Sequence, residues 1–240
     1  LEDVADQVRR LGPIAGVPVL VDAEGGWGNP LQVARSVRVL EQAGAAGAHI
    51  EDHEFGKHVT ATPTVLTTAA AVDKIKAALD ARRSEDFVVV ARTDCSTTLG
   101  GAAAVERLLA FEAAGADAVF VAGRLGEDDW LTLRTEAKVP VVSCNMPGTS
   151  VAELHRLGAA VILYYGMPQL SAQLALASAY SLLARQPLDR PVEADWETLA
   201  ALRHFDELMG IGEVRRKAAE YGLLGGPDLS TGSGLPSGAP

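Results

Sequence analysis

Cysteine is scarce in this sequence. Cys95 and Cys144 are its two, far apart in the chain and in no metal-binding spacing. Two free thiols suit a reducing cytoplasm, which is the expected compartment. Long apolar runs are also missing. No stretch reaches the roughly 18 uninterrupted apolar residues of a membrane span, so no membrane partner is expected. Positive charge is outnumbered: 21 Lys and Arg stand against 31 Asp and Glu, for a net charge of -10. That balance argues against nucleic acid as a partner. It says nothing about fold. The opening LEDVADQVRR is charged and periodic and does not read as a signal peptide. What the chain does have is 240 residues, 48% of them hydrophobic, enough for one sizeable core. At this length an α/β barrel can be a single domain.

The most informative stretch is VLVDAEGGWG, residues 19–28. An apolar run ends in Asp22, then Glu24, then a glycine-rich turn around Trp27. Two acidic side chains at i and i+2 at the end of a buried strand are costly without a partner. A hard divalent cation suits carboxylate oxygens best. The alternative is that both side chains cap the next helix or solvate the turn. Glu51-Asp52 ends the apolar AHIED, and Arg92-Thr93-Asp94 ends VVVARTD. Three successive strands ending in charge read as an active-site rim.

The rest of the chain repeats a strand–helix unit. Strands are expected at Val17–Asp22, Ala48–Glu51, Phe87–Arg92, Ala118–Ala122, Val139–Asn145 and Val161–Tyr165. Fully apolar strands alternating with helices indicate a parallel sheet covered by helices. Leu1–Gly12 reads as a helix. Asn29-Pro30 looks like an N-cap followed by proline at the first helical position. Val33, Val37 and Leu40 follow at helical spacing, and Gly44 is the stop. Residues 67–81 form another helix, with Ala71, Ile75 and Ala78 on one face. LEQAGAAGAHI, FEAAGADAVFV and LHRLGAAVIL share one grammar: a helix ends at Gly44, Gly115 or Gly158, a short turn follows, and a strand begins. GVPVLVD echoes KVPVVSC in the same way. Such echoes fit a (β/α) barrel, whose strand C-terminal ends carry the chemistry.

The segment VPVLVDAEGGWGNPLQVARSVRVLEQAGAAGAHIEDHEFGK, with VVVARTD, GADAVFVAG, VPVVSCNM and the Gly158–Pro168 segment in order, resembles the isocitrate lyase / phosphoenolpyruvate mutase superfamily. The resemblance covers roughly residues 1–185 and rests on VDAEGGWGNP, HIED and ARTD together. It implies a (β/α)8 TIM-type barrel, Mg2+ (with Mn2+ as an alternative), a 2-oxo or 2-hydroxy acid substrate, and cleavage of a C–C or P–C bond through an enolate of pyruvate. By the same resemblance Asp22, Glu24 and Glu51 hold the metal, Arg92 contacts a substrate carboxylate, and Asn145 makes a polar contact. Gly25 and Gly26 lie in the turn whose backbone approaches the substrate. It also implies a homodimer or homotetramer that exchanges a C-terminal helix between subunits.

Departures from the family pattern narrow the reaction. Lyases that cleave isocitrate or methylisocitrate carry a Lys-Lys/Arg-Cys-Gly-His run after HIED, with the Cys as proton donor; here the region reads HEFGKHVTATPT. The Asn-containing loop of phosphonate-forming members is also missing. The short EFGK looks nearest the oxaloacetate decarboxylase branch, which needs no Cys acid. The His that this branch places after the last strand falls at Gly166, where Tyr164 or Tyr165 is a substitute. Family barrels have two strands before the one that ends at Asp22, whereas six strands are counted here. The expectation is a barrel whose first two strands belong to a preceding segment; the alternative is a degraded, open barrel.

Other residues carry plainer expectations. Asp52 is a structural acceptor, and Asp94 orients a turn. Arg92 has the alternative of a buried ion pair with Asp22 or Glu51. His49 reads as a satisfied core histidine. His53, Lys57 and His58 lie on a gating loop, exposed by default. Cys144 is a buried filler, and Trp27 packs on the rim or narrows the pocket. Beyond the barrel domain (1–185) comes a helical extension (186–224), with an amphipathic helix at 195–210. A Gly/Pro/Ser-rich tail (225–240) is expected to be flexible. An apolar helix over Ser171–Arg185 suits exchange in an oligomer. The function expected is Mg2+-dependent C–C cleavage of a short acid, most concretely oxaloacetate to pyruvate. A methylisocitrate- or dimethylmalate-type lyase, or a P–C bond enzyme, is the alternative within the superfamily. A noncatalytic acid-binding or scaffold protein is the alternative from another class.

Overall fold

A computed structural model describes residues 1–53, 57, 64–145, 148–185 and 207–223. Helix α1 (Glu2–Ala15) leads into β1 (Leu20–Asp22), α2 (Pro30–Ala43), β2 (Gly47–Glu51), α3 (Thr68–Ala81) and β3 (Val88–Thr93). Then follow α4 (Gly101–Ala113), β4 (Ala118–Val121), α5 (Glu127–Glu136), β5 (Val141–Cys144), α6 (Val151–Leu157), β6 (Val161–Leu163) and α7 (Met167–Arg185). A further helix, α8, spans Ile211–Glu220.

The six strands pair in parallel in the order β1-β2-β3-β4-β5-β6. Sequential order without a reversal is the winding of a barrel; a doubly wound sheet reverses at a switch point. The sheet curls into part of a barrel, as the expected strand count implies. β1 and β6 form its two ends, and Leu20 and Val161 there are exposed.

The strands are shorter than their apolar runs for a physical reason. Pro18 and Pro140 cannot donate to a ladder, so β1 begins at Leu20 and β5 at Val141. β6 stops at Leu163, and Tyr164 and Tyr165 are exposed. Helix α1 runs on through Pro13 to Ala15, past the stop expected at Gly12. The expected N-cap holds: Asn29 Oδ1 accepts from the Leu31 amide at 3.0 Å and the Gln32 amide at 3.2 Å. Gly44 and Gly158 end α2 and α6 in the left-handed region, which glycine enters without a Cβ clash.

Apolar side chains fill two spaces. The larger cluster lies between sheet and helices and includes Val33, Val37, Leu40, Ile50, Ile75, Leu108, Phe111 and Leu133. The smaller one comprises Val90, Ala118, Phe120, Val142 and Cys144. Successive strand residues point to opposite faces, so Val89 and Val119 join the helix-side cluster while Val90 and Phe120 join the other.

The chain divides into two compact units, Leu1–Gln173 and Leu174–Pro240. The first carries the sheet. The second contains the end of α7, where Leu174, Tyr180 and Leu182 are exposed, and α8, where Arg216 pairs with Glu213 and Glu220. Of the helix expected at 195–210, residues 195–206 lie outside the described residues, as does the tail at 225–240. Among the described residues no helix is long and apolar enough to cross a membrane.

Phe111 is 1% exposed within the larger cluster. Phe111→Ala is expected to cost about 3–5 kcal/mol. In urea the midpoint should fall with the slope unchanged; a loss below about 1 kcal/mol would mean that this site collapses around the smaller side chain.

Candidate active site

The parallel register brings the charged strand ends together. Asp22 lies opposite His49, and Glu51 lies opposite Arg92. Beyond β1 the chain turns sharply. Asp22 Oδ1 accepts from the Glu24 amide at 2.9 Å, and the Gly26 amide donates to the Ala23 carbonyl at 2.8 Å. Glu24 (φ 48°) and Trp27 (φ 59°) are both in the left-handed region, which is strained for non-glycine residues. Gly26 has no alternative there: a Cβ would meet Val33 Cγ2 at 2.4 Å. The turn is pinned from outside. Buried Lys74 on α3 donates to the Gly25 carbonyl at 2.8 Å, and buried Ser36 on α2 donates to the Gly26 carbonyl at 3.1 Å. The Glu51 amide donates to the Glu24 carbonyl at 2.9 Å, tying the turn to β2.

Four carboxylates and two cations interlock at this rim. Arg92 forks onto Asp94, with Nε at 2.7 Å from Oδ1 and Nη2 at 3.0 Å from Oδ2. Its remaining edge lies 3.4 Å from Asp22 Oδ2, and Nη2 lies 3.4 Å from Glu51 Oε2. The guanidinium stacks over Phe120, 5.1 Å from the ring centroid. Lys57 Nζ is hydrogen-bonded to Glu51 Oε2 and lies 3.4 Å from Asp94 and 3.6 Å from Glu24. The alternative ion pairs of Arg92 with Asp22 and Glu51 are both present at 3.4 Å, and Asp94, not expected as a partner, lies closer.

Burial and these contacts act on each proton in turn. Burial pushes the Glu51 carboxyl up, against Lys57 and Arg92. Burial works against charge on Lys57 and Arg92, yet their hydrogen bonds to Glu51 and Asp94 respectively, together with the charge of the surrounding carboxylates, outweigh it and both are raised. For Asp94 burial is overcome by Arg92, and its carboxyl lies below the ordinary range. Burial lowers His49 more than Asp22 raises it, so its imidazole is held toward the neutral form. Burial raises the Cys144 thiol, which disfavours a thiolate and fits the expected filler.

A cavity of about 440 Å³ opens on this cluster, lined by Asp22, Glu24, His49, Lys57, Arg92 and Tyr165 and by the apolar Phe120, Ala122, Cys144 and Leu163. Asp22, Glu24, Glu51 and Asp94 bring four negative charges against two from Lys57 and Arg92, an excess equal to one divalent cation. Among the described residues, no group of three His, Cys, Asp or Glu side chains is placed to hold a metal ion by itself. Mg2+ does not require one, because it binds through one or two carboxylates and keeps waters and substrate oxygens as its other ligands. The Asp22 and Glu24 carboxylates are about half-exposed and face the cavity. Glu51 sits behind Lys57, with its side chain 2% exposed. The donor set fits the ion.

Several residues differ from expectation. His49 is buried but not satisfied: its Nδ1 has no hydrogen-bond partner, and it lies 3.6 Å from Asp22 Oδ1. The ring faces the cavity and meets Phe120 edge-on, with centroids 5.3 Å apart. His53 and Lys57 are not exposed. His53 Nδ1 lies 3.0 Å from the Thr64 carbonyl and Nε2 lies 3.5 Å from Asp94, while the Lys57 side chain is 11% exposed because three carboxylates surround it. His58 lies outside the described residues. Asn145 follows Cys144, the last residue of β5; its buried Oδ1 has no hydrogen-bond partner, and it is not among the residues that line the cavity. Trp27 packs against the larger core cluster. Asp52 is structural, as expected. Its carboxylate accepts from Thr93 Oγ1 at 2.5 Å and the Asp94 amide at 3.1 Å, and pairs with Arg107 at 3.2 Å. Lys74 and Arg107 were not among the sequence candidates.

Comparison with known proteins agrees with this geometry. Residues 1–184 match the family model of phosphoenolpyruvate phosphomutase. The chain is 34% identical over 217 residues to 2,3-dimethylmalate lyase of Eubacterium barkeri, covering 86% of this chain and 73% of that protein. It is 34% identical over 207 residues to oxaloacetate decarboxylase of Rhodopseudomonas palustris strain HaA2, covering 85% of this chain and 65% of that protein. Among solved structures, a phosphonopyruvate hydrolase in complex with oxalate and Mg2+ superposes with a TM-score of 0.73 at 27% identity, covering 90% of this chain and 77% of the other. The curved parallel sheet, the acidic rim and these matches agree: the chain belongs to the phosphoenolpyruvate phosphomutase family, within the isocitrate lyase/PEP mutase superfamily.

Proposed function

We propose that this protein is a Mg2+-dependent lyase that breaks a C–C bond in a short 2-oxo or 2-hydroxy acid. The observation that carries the reading is that Asp22, Glu24 and Arg92 line one cavity, with Glu51 buried beside them under Lys57 and two negative charges in excess. Asp22 and Glu24 hold the cation, and Glu51 supports it from beneath Lys57. When bound, the cation supplies positive charge against the negative charge that builds on the substrate oxygen as the bond breaks. Arg92 takes the substrate carboxylate with the edge it turns toward Asp22, while Asp94 keeps the guanidinium planar to the cavity. The Gly25-Gly26 turn lets backbone come close to the acid, and Asn145 adds a polar contact. Phe120, Ala122 and Leu163 form a dry wall that strengthens these charge interactions.

Oxaloacetate is the concrete substrate. Its C3–C4 bond breaks, CO2 leaves, and the electron pair passes to the pyruvate fragment, which takes a proton at C3 from solvent. No cysteine stands in the segment after HIED, where isocitrate-type lyases place their acid. The short segment resembles the decarboxylase branch, and a decarboxylase named among the relatives supports the same choice. Tyr165, on the cavity wall, is our candidate for the role of the missing histidine. One observation favours a second reading. The apolar side of the cavity suits a substrate with methyl groups, as the name of the dimethylmalate lyase relative suggests. We also read the exposed apolar residues of α7 as a face that a second copy covers by helix exchange.

Purified protein with Mg2+ should release pyruvate from oxaloacetate in an NMR assay, above the decay that Mg2+ alone causes, and EDTA should abolish it. Asp22→Ala is expected to lower kcat/KM by about a thousandfold, the equivalent of about 4 kcal/mol, with the fold intact. Equal turnover by that variant would overturn the metal role. Pyruvate from dimethylmalate-type acids instead would move the substrate to the second reading. Lys57 neutralises the carboxylates that hold the cation. Lys57→Met should therefore tighten Mn2+ binding by about tenfold, as charge removal near a partly buried site implies. Unchanged affinity by electron paramagnetic resonance would place Lys57 apart from the cation.

A further inference from the structure

Arg107 lies on α4, in the helix layer outside the sheet, and is not among the residues that line the cavity. Its side chain is 6% exposed, and its partner Asp52 is fully buried. A buried ion pair is weak evidence for stability, because desolvation offsets attraction. What the pair holds is therefore more informative than its strength.

From Asp52 the contacts run inward to the site. Asp52 Oδ1 accepts from the Asp94 amide at 3.1 Å, and Oδ2 accepts from Thr93 Oγ1 at 2.5 Å. Thr93 Oγ1 in turn accepts from the Cys95 amide at 3.2 Å. One carboxylate thus fixes the backbone on either side of Asp94. Asp94 then grips Arg92 through two hydrogen bonds, which sets the plane and rotation of the guanidinium. Arg107 Nη1 also donates to the Leu66 carbonyl at 2.6 Å, and the Leu66 amide donates to the Asp52 carbonyl at 2.8 Å. The base of the 53–66 segment is closed by the same pair.

We infer that Arg107 is a positioning residue: through Asp52 and the Asp94 backbone it sets the orientation in which Arg92 meets an acid. Arg107 touches neither the acid nor Arg92. It holds Asp52 in one rotamer, and that rotamer fixes the backbone from which the Asp94 carboxylate projects. A Lys in its place keeps the charge but loses the planar, preorganised guanidinium whose Nη1 meets both Asp52 and the Leu66 carbonyl. The inference rests on the proposed role of Arg92 only for its effect on acid binding; the orientation of Arg92 is testable without any ligand.

The test compares wild type with Arg107→Met, Arg107→Lys, the double variant Arg107→Met/Asp52→Asn, and Val105→Ala, a buried change on the same helix. The first readout is the Arg92 Nε–H resonance in 15N-labelled protein, in buffer alone. Arg107→Met should move it toward the position of a solvated arginine, Arg107→Lys should bring it part of the way back, and Val105→Ala should leave it in place. The second readout is oxalate affinity by calorimetry with Mg2+ saturating. It should weaken by about tenfold in Arg107→Met, as loss of an outer partner of a binding group does, with Mn2+ affinity in the absence of oxalate unchanged. Should Arg107→Met fail to fold, the double variant carries both readouts, because it leaves no buried charge unpaired. An unmoved Arg92 resonance in a folded Arg107→Met or double variant overturns the inference, and so does an equal shift in Val105→Ala. Wild type that binds no oxalate overturns the acid-binding reading instead, and the Arg92 resonance still decides the role of Arg107.

Discussion

Carboxylates buried at the ends of parallel strands are tolerated only where positive charge reaches them. Here it comes from two directions. Arg92 and Lys57 stand inside the rim, among Asp22, Glu24, Glu51 and Asp94. Lys74 and Arg107 reach in from the helix layer, one to the turn after β1 and the other to Asp52 after β2. The inner cations leave the cluster with four carboxylates against two positive charges, which is the basis of the cation site we propose. The outer ones do not neutralise it; they fix the backbone from which it projects. Folding and the proposed function meet in this division: on that reading the groups that would recognise a ligand are separate from those that hold the backbone beneath them.

Much of this was legible in the sequence. The six strands, the sequential winding and the helix caps follow from short apolar runs, an Asn-Pro start and recurrent glycine stops. The acidic rim followed from charge at the ends of successive strands. Strand lengths were overestimated where proline interrupted a run, since an apolar side chain says nothing about whether its amide can join a ladder. The positions of Arg92 and Asp94 relative to each other were not legible, because residues at i and i+2 on a strand share a face but their side-chain pairing depends on what lies beyond the strand end.

The residues that were missed had a signal that went unused. Lys74 falls on the same helical stripe as Ala71, Ile75 and Ala78, and Arg107 on that of Ala104, Leu108 and Phe111. A charge on the buried stripe of an amphipathic helix needs a partner inside. For His49 the error was of another kind. A histidine within an apolar strand suggests a satisfied core residue, yet the His49 ring faces the cavity and its Nδ1 has no hydrogen-bond partner.

Glu24 and Trp27 bring a different matter into view. Each holds a left-handed backbone conformation that glycine or asparagine would adopt at lower cost. Thermal tolerance alone favours exchange for those residues at the half-exposed Glu24 but not at Trp27, whose packing against the core outweighs the strain, whereas on the proposed metal role turnover keeps the carboxylate at 24. Glu24 is thus a place where directed evolution under heat would be expected to improve one property at the expense of the other.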